Sequence, residues 1–277
     1  MKHLTLFYQG NSASRGQAAP YTRQAVYSLA EGERKSWRCK TAANLLYNIY
    51  ECEELADVLF SAGLNPYLWL SKATRAVCNA WSGIEGPAHC SDPTRWSVGS
   101  RPDREQCARA LERAASETDQ QLVLFGCSRG AATTFATVCE CAMDGSQALA
   151  RVRLVILEAP FDSVRSVLQA SAWLPGLQHY ALGLFSQYDA DEVSPLELAQ
   201  HFPLDLPVAF VMSAADTRVP PECTERLVSA LRARGHTGVH TLLLQRSSHP
   251  SFASADADDV ARYEVFLHEL YARYLEK

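Results

Sequence analysis

Short apolar runs rich in Val, Leu, Ile and Phe alternate along this chain with longer segments whose apolar residues recur every three or four positions, and that alternation narrows the fold more than any other feature. Strands buried on both faces need continuous apolar runs of this kind, as in a parallel sheet covered by crossover helices. The runs place strands at Leu4–Tyr8, Pro66–Leu70, Gln121–Phe125, Arg153–Leu157, Val208–Met212 and His240–Leu244. Helical periodicity marks Thr41–Ala62, Asp103–Glu117, Arg129–Met143, Pro221–Arg234 and Val260–Leu275. The expected class is α/β, with a mainly parallel six-stranded sheet flanked by helices. With 277 residues, 47% of them hydrophobic, the chain can bury one large core, and residues 1–277 read as a single domain.

Three segments are too long for ordinary connections: 11–40 after the first strand, 71–102 after the second and 160–207 after the fourth. With right-handed crossovers all three leave the carboxyl ends of their strands and crowd one rim, the rim at which open α/β sheets bind ligands. The first two read as rim insertions and the third as a small cap or lid.

Twenty-six basic residues against 31 acidic ones give a formal charge of −5, without a polybasic run, which argues against a nucleic-acid partner. No apolar stretch is long enough to span a membrane, and Leu4–Tyr8 is too short for a signal sequence, so a soluble, cytoplasmic protein is expected. The nine cysteines, at Cys39, Cys52, Cys78, Cys90, Cys107, Cys127, Cys139, Cys141 and Cys223, form no CxxC pair and stand at no ligand spacing with paired histidines. Reduced thiols are expected, and no metal or other cofactor. The GxxxxGK[ST] and GxGxxG nucleotide loops are missing at the strand exits.

Gly126-Cys127-Ser128-Arg129-Gly130 reads GxSxG between the apolar run Gln121–Phe125 and the small-residue helical start Ala131-Ala132-Thr133-Thr134. The strand before and the helix after give the pattern its weight. A serine in so sharp a strand-to-helix turn is held in a strained backbone conformation, and flanking glycines remove the Cβ atoms that would clash. Its hydroxyl still needs an imidazole to take its proton and a carboxylate to hold that imidazole in the right tautomer. Asp216 follows the strand Val208–Met212, and His249 follows His240–Leu244 in Ser247-Ser248-His249-Pro250. His3, His89, His179, His201, His236 and His268 follow no C-terminal strand directly, and His240 starts one at the wrong end. For the acid, Asp216 taken alone could simply start a turn, and Glu158 also ends a strand on the correct rim; Asp216 is preferred because it lies one strand before the histidine.

With these residues in place the chain resembles the serine-nucleophile α/β-hydrolase superfamily over nearly its full length, from Leu4 to Leu275. Leu6-Phe7-Tyr8-Gln9-Gly10-Asn11-Ser12 is similar to the His-Gly-Asn segment of its esterase and lysophospholipase-like branch, with Gln9 in place of the histidine. Leu157-Glu158-Ala159-Pro160-Phe161-Asp162 and the turn from Asp216 to Pro220 are similar both to that branch and to prolyl-oligopeptidase-like peptidases. The resemblance implies catalysis by Ser128, Asp216 and His249. It also implies an oxyanion hole built from the backbone N–H of Arg129 and of Asn11, or of its neighbours Gly10 or Ser12. The Arg129 side chain itself reads as a solvated arginine at a helix start. The superfamily has two further strands ahead of the oxyanion strand; with that strand at Leu4, a six-stranded sheet without the leading pair is expected, and its open edge makes a homodimer an expectation.

Such a triad attacks acyl carbonyls and says little about the leaving group. The insertions carry Trp81, Trp96, Trp173, Leu174, Leu182, Leu184 and Phe185, which point to an apolar acyl or aromatic group, although a stripe such as Val167, Leu168 and Leu174 needs burial in any case. The substrate expected is a small-molecule ester or thioester. A serine peptidase is an alternative, as is a noncatalytic hydrolase-fold protein that binds a ligand or partner.

Overall fold

The computed structural model describes residues 3–8, 101–117, 120–171, 193–249, 252 and 256–275. Over them the elements run β1 (His3–Tyr8), α1 (Arg101–Glu117), β2 (Gln121–Cys127), α2 (Arg129–Met143), β3 (Val152–Glu158), α3 (Val164–Ser171), α4 (Pro195–Leu198), β4 (Val208–Ser213), α5 (Pro221–Ala233), β5 (Val239–Leu244) and α6 (Ala257–Tyr274). The five strands form one sheet in the order β1-β2-β3-β4-β5, each pair parallel. The strand expected at Pro66–Leu70 and the helix at Thr41–Ala62 lie outside the described residues.

The apolar runs do what a sheet covered on both faces demands. All six residues of β4 are buried, as are six of the seven in β2. Successive residues divide between two cores. Leu122, Leu124, Val155, Leu157, Val208 and Phe210 face one; Val123, Phe125, Leu154, Ile156, Ala209 and Val211 face the other. A register shift between Leu122 and Val123, opposite Arg153, lets Val152 and Leu154 serve opposite cores although they are two residues apart. In the first core Phe135 of α2 stacks on Phe202 with ring centroids 5.1 Å apart and tilts against Phe210 at 6.3 Å.

Helix boundaries follow local chemistry. Helix α1 starts at Arg101, two residues ahead of the periodic apolar pattern, where Pro102 suits a first turn and Arg101 Nε pairs with Glu105 Oε1 at 2.8 Å. Helix α6 starts at Ala257, ahead of the expected Val260, because Asp256 Oδ1 accepts the N–H groups of Asp258 and Asp259. Helix α4 carries a capping box between Ser194 and Glu197. Both described ends of the segment 160–207 pack into the body of the molecule: Val167, Leu198, Phe202 and Leu206 are buried. The first of these ends is fastened by Asp162, which accepts from Arg226 Nε at 2.6 Å, Arg226 Nη2 at 3.1 Å and Ser166 Oγ at 3.0 Å, joining α3 to α5.

Candidate active site

Ser128 sits where β2 turns into α2, with φ 53° and ψ −119°. That left-handed conformation costs a non-glycine residue about 1–3 kcal/mol, so the surroundings must enforce it. They do so by close packing. A Cβ on Gly126 would lie 2.5 Å from Ala131 Cα and 2.7 Å from the Gly130 carbonyl oxygen, both backbone atoms that cannot step aside. The Ser128 N–H donates to the Glu158 carbonyl at 2.7 Å, pinning the turn to the end of β3. Gly126→Ala is therefore expected to cost at least about 1–3 kcal/mol in urea unfolding, the usual range for overpacking. An unchanged midpoint would show that the turn opens freely.

Parallel pairing brings the strand exits together at this turn. Ser213, the last residue of β4, is in register with Leu244, the last of β5. The turns that follow carry Asp216 and His249. His249 Nε2 lies 2.8 Å from Ser128 Oγ, and His249 Nδ1 lies 2.7 Å from Asp216 Oδ2. With the proton on Nδ1, that nitrogen donates to the carboxylate and Nε2 accepts from the hydroxyl. The other carboxylate oxygen, Oδ1, accepts the N–H groups of Arg218 and Val219, both at 2.9 Å, so it cannot rotate away. The acid and base side chains are 0% and 7% exposed, which shields the pair from water. Phe252 packs its ring edge-on against the imidazole at 6.4 Å.

The structure thus brings together Ser128, Asp216 and His249, and the carboxylate bonded to the imidazole is that of Asp216 rather than Glu158. Glu158 is fully buried, where Oε1 accepts from Cys127 Sγ at 3.4 Å and Oε2 from Tyr263 Oη at 3.2 Å. Burial, and then the Glu158 carboxyl beside it, hold the Tyr263 phenol well above its usual pKa, which keeps it a proton donor. His240 bonds Tyr274 Oη at the other end of the sheet, and His236 lies buried against the Leu206 carbonyl. Arg129 corrects the expectation of a solvated side chain: it is 3% exposed. The reason is the setting of α2, which is covered on all sides along its first turns, so a helix start there is interior. Asn11 lies outside the described residues, as do Trp81, Trp96, Trp173, Leu174, Leu182, Leu184 and Phe185. The strand leading to Asn11 ends beside the turn, with Tyr8 in register with Gly126. Sequence reasoning passed over Asp259, whose carboxylate holds the segment just before His249.

Cys107, Cys127, Cys139, Cys141 and Cys223 are buried, and burial pushes the Cys141 and Cys223 thiols up to about 11. No group of His, Cys, Asp and Glu among the described residues is arranged to hold a metal ion. None of the described helices is long and apolar enough to cross a membrane.

The model of the prolyl oligopeptidase family matches residues 94–273, well over half of the chain. This chain belongs to the prolyl oligopeptidase family. Its parallel sheet with flanking helices is the α/β-hydrolase fold. Among solved structures, the acylaminoacyl peptidase of Pyrococcus horikoshii matches at 15% identity and TM-score 0.52, over 66% of this chain and 30% of that one. A puromycin-hydrolyzing peptidase of Mycobacterium tuberculosis matches at 20% identity and TM-score 0.49, over 65% of this chain and 26% of that one. An esterase of Pyrococcus furiosus matches at 11% identity and TM-score 0.45, over 65% of each chain. At identities this low the likeness speaks for the fold, and only the first of the three scores carries that argument. The matched part of this chain spans less than two thirds of each of these proteins. No curated protein sequence matches it.

Proposed function

We propose that this family member cleaves a small ester or thioester with an apolar acyl group, through an acyl-enzyme on Ser128. The observation that carries the reading is the unbroken relay from Ser128 Oγ through both imidazole nitrogens of His249 to Asp216. In the first half-reaction Ser128 Oγ attacks the carbonyl carbon while its proton passes to His249 Nε2, and the Asp216 carboxylate stabilises the imidazolium that results. The carbonyl oxygen becomes an anion, for which the superfamily resemblance assigns the backbone N–H groups of Arg129 and Asn11 as donors. Each such donor contributes about 3–4 kcal/mol to transition-state stabilisation. The intermediate collapses as His249 returns the proton to the leaving oxygen or sulfur. In the second half-reaction water attacks the acyl-serine, gives its proton to the same nitrogen, and the acid departs with Ser128 restored.

Labelling by a fluorophosphonate probe, with Ser128→Ala as control, tests the nucleophile. A panel of p-nitrophenyl esters and acyl-coenzyme A thioesters tests the substrate class. Labelling that depends on Ser128, together with faster turnover of longer or aromatic acyl groups, is the expected result. A protein that takes up no probe is a noncatalytic binder and the reading fails. A second reading, a serine peptidase, has support from the family itself. Turnover of N-acylated peptides above that of every ester in the panel would replace the esterase assignment with it.

A further inference from the structure

We propose that Asp259 is a positioning residue for the candidate base: its carboxylate fixes the backbone of residues 245–247 and so sets His249 against Ser128 and Asp216. The inference rests on the role proposed for His249. Asp259 lies in the first turn of α6, where an acidic residue ordinarily does no more than face the helix dipole from the surface. Asp258 next to it fits that description, with a side chain 82% exposed. Asp259 does not, being 2% exposed and turned away from its own helix toward another segment.

There it gathers three consecutive backbone donors. Oδ2 accepts from Arg246 N at 2.7 Å, Ser247 N at 2.8 Å, Ser247 Oγ at 2.9 Å and Gln245 N at 3.1 Å, and Oδ1 accepts from Gln245 N at 3.0 Å. Arg262 Nη1 stands 3.7 Å from Oδ1 on the outer side. Successive N–H groups converging on one anion make a concave nest, whose shape depends on the anion staying in place. Burial works against ionisation of this carboxyl, but the backbone donors and the Ser247 hydroxyl outweigh it and hold its pKa below the usual value. Ser247 is gripped from the opposite side too, where its carbonyl accepts from Ser213 Oγ at 2.6 Å. Ser213 lies three residues before Asp216, and Ser247 two before His249. With both ends of this short path fixed, the imidazole has little freedom to leave its partners.

The test uses the full chain with Asp259→Ala and Asp259→Asn, each alone and combined with His249→Ala. It reads the rate of fluorophosphonate labelling and kcat and KM for p-nitrophenyl acetate. A displaced base should slow labelling and kcat by on the order of 100-fold in Asp259→Ala, with KM within about threefold. Asp259→Asn keeps one carbonyl oxygen for the nest, so a loss of about tenfold is expected, and this variant decides the matter if the alanine variant does not fold. In the His249→Ala background the Asp259 substitutions should change the residual rate by less than about twofold, because their effect passes through the imidazole. Equal losses with and without His249 would reduce Asp259 to a structural role and overturn the proposal. So would unslowed labelling of both single variants in a protein whose wild type is labelled. A wild type that takes up no probe overturns the triad reading first, and this inference falls with it.

Discussion

Exchange of Ser128 for alanine is expected to lower kcat for p-nitrophenyl acetate by on the order of 10⁶-fold, the loss seen when the nucleophile of such a triad is removed. Among the described residues, neither Cys127 nor Asp216 can replace the lost hydroxyl. Cys127, the adjacent nucleophile, is 0% exposed with Sγ turned toward Glu158 in the core beneath. Asp216 is committed to His249 and to two backbone donors. What remains is the rate that substrate binding and oxyanion donors give to water. Alanine retains the Cβ that strains Ser128 at φ 53°, so the thermal midpoint should move by no more than about 2 °C, which separates lost chemistry from lost fold. Steady-state turnover with pre-steady-state burst amplitude checks both halves of the claim. The variant should show no burst, and a burst of wild-type size would place the nucleophile elsewhere.

Asp216→Asn is expected to cost about 10⁴-fold in kcat without unfolding the protein, through the tautomer of His249. The environment of Asp216 dictates how the amide would sit. Oδ1 accepts the N–H groups of Arg218 and Val219, and an NH₂ group there would face two donors. The asparagine carbonyl must take that place, which leaves its NH₂ pointing at His249 Nδ1. That nitrogen then accepts, the ring proton moves to Nε2, and Nε2 can no longer receive the proton of Ser128. Glu158→Gln supplies the contrast. Its carboxylate accepts from Cys127 and Tyr263, while the imidazole is held by Asp216, so kcat should change by less than about tenfold. The reverse outcome, a mild effect at Asp216 and a severe one at Glu158, would move the acid to the end of β3.

The parts of this molecule that were legible in the sequence are those that short-range rules govern. Strands β2, β3 and β4 are buried on both faces, so their continuous apolar runs mark them within two residues at either end. The Ser128 turn was legible because its geometry tolerates no Cβ at Gly126. Asp216 and His249 could be chosen from their rivals because each stands just beyond a strand, and parallel topology sends all strand exits to one rim. Arg129 was misjudged because the fate of its side chain depends on what covers the first turns of α2, which no local pattern reports. Asp259 was passed over for a related reason. An aspartate after a helix start is commonplace, and its purpose appears only once the fold lays residues 245–247 across it.

The Ser213 hydroxyl, which bridges from the end of β4 to the Ser247 carbonyl, ties the turn bearing the carboxylate to the turn bearing the imidazole. Acid and base are consequently assembled once, when the chain folds, and not anew with each arriving substrate. For the proposed reaction, the ordering entropy of that encounter is removed from the catalytic cycle, which leaves the substrate's own carbonyl group to be recruited.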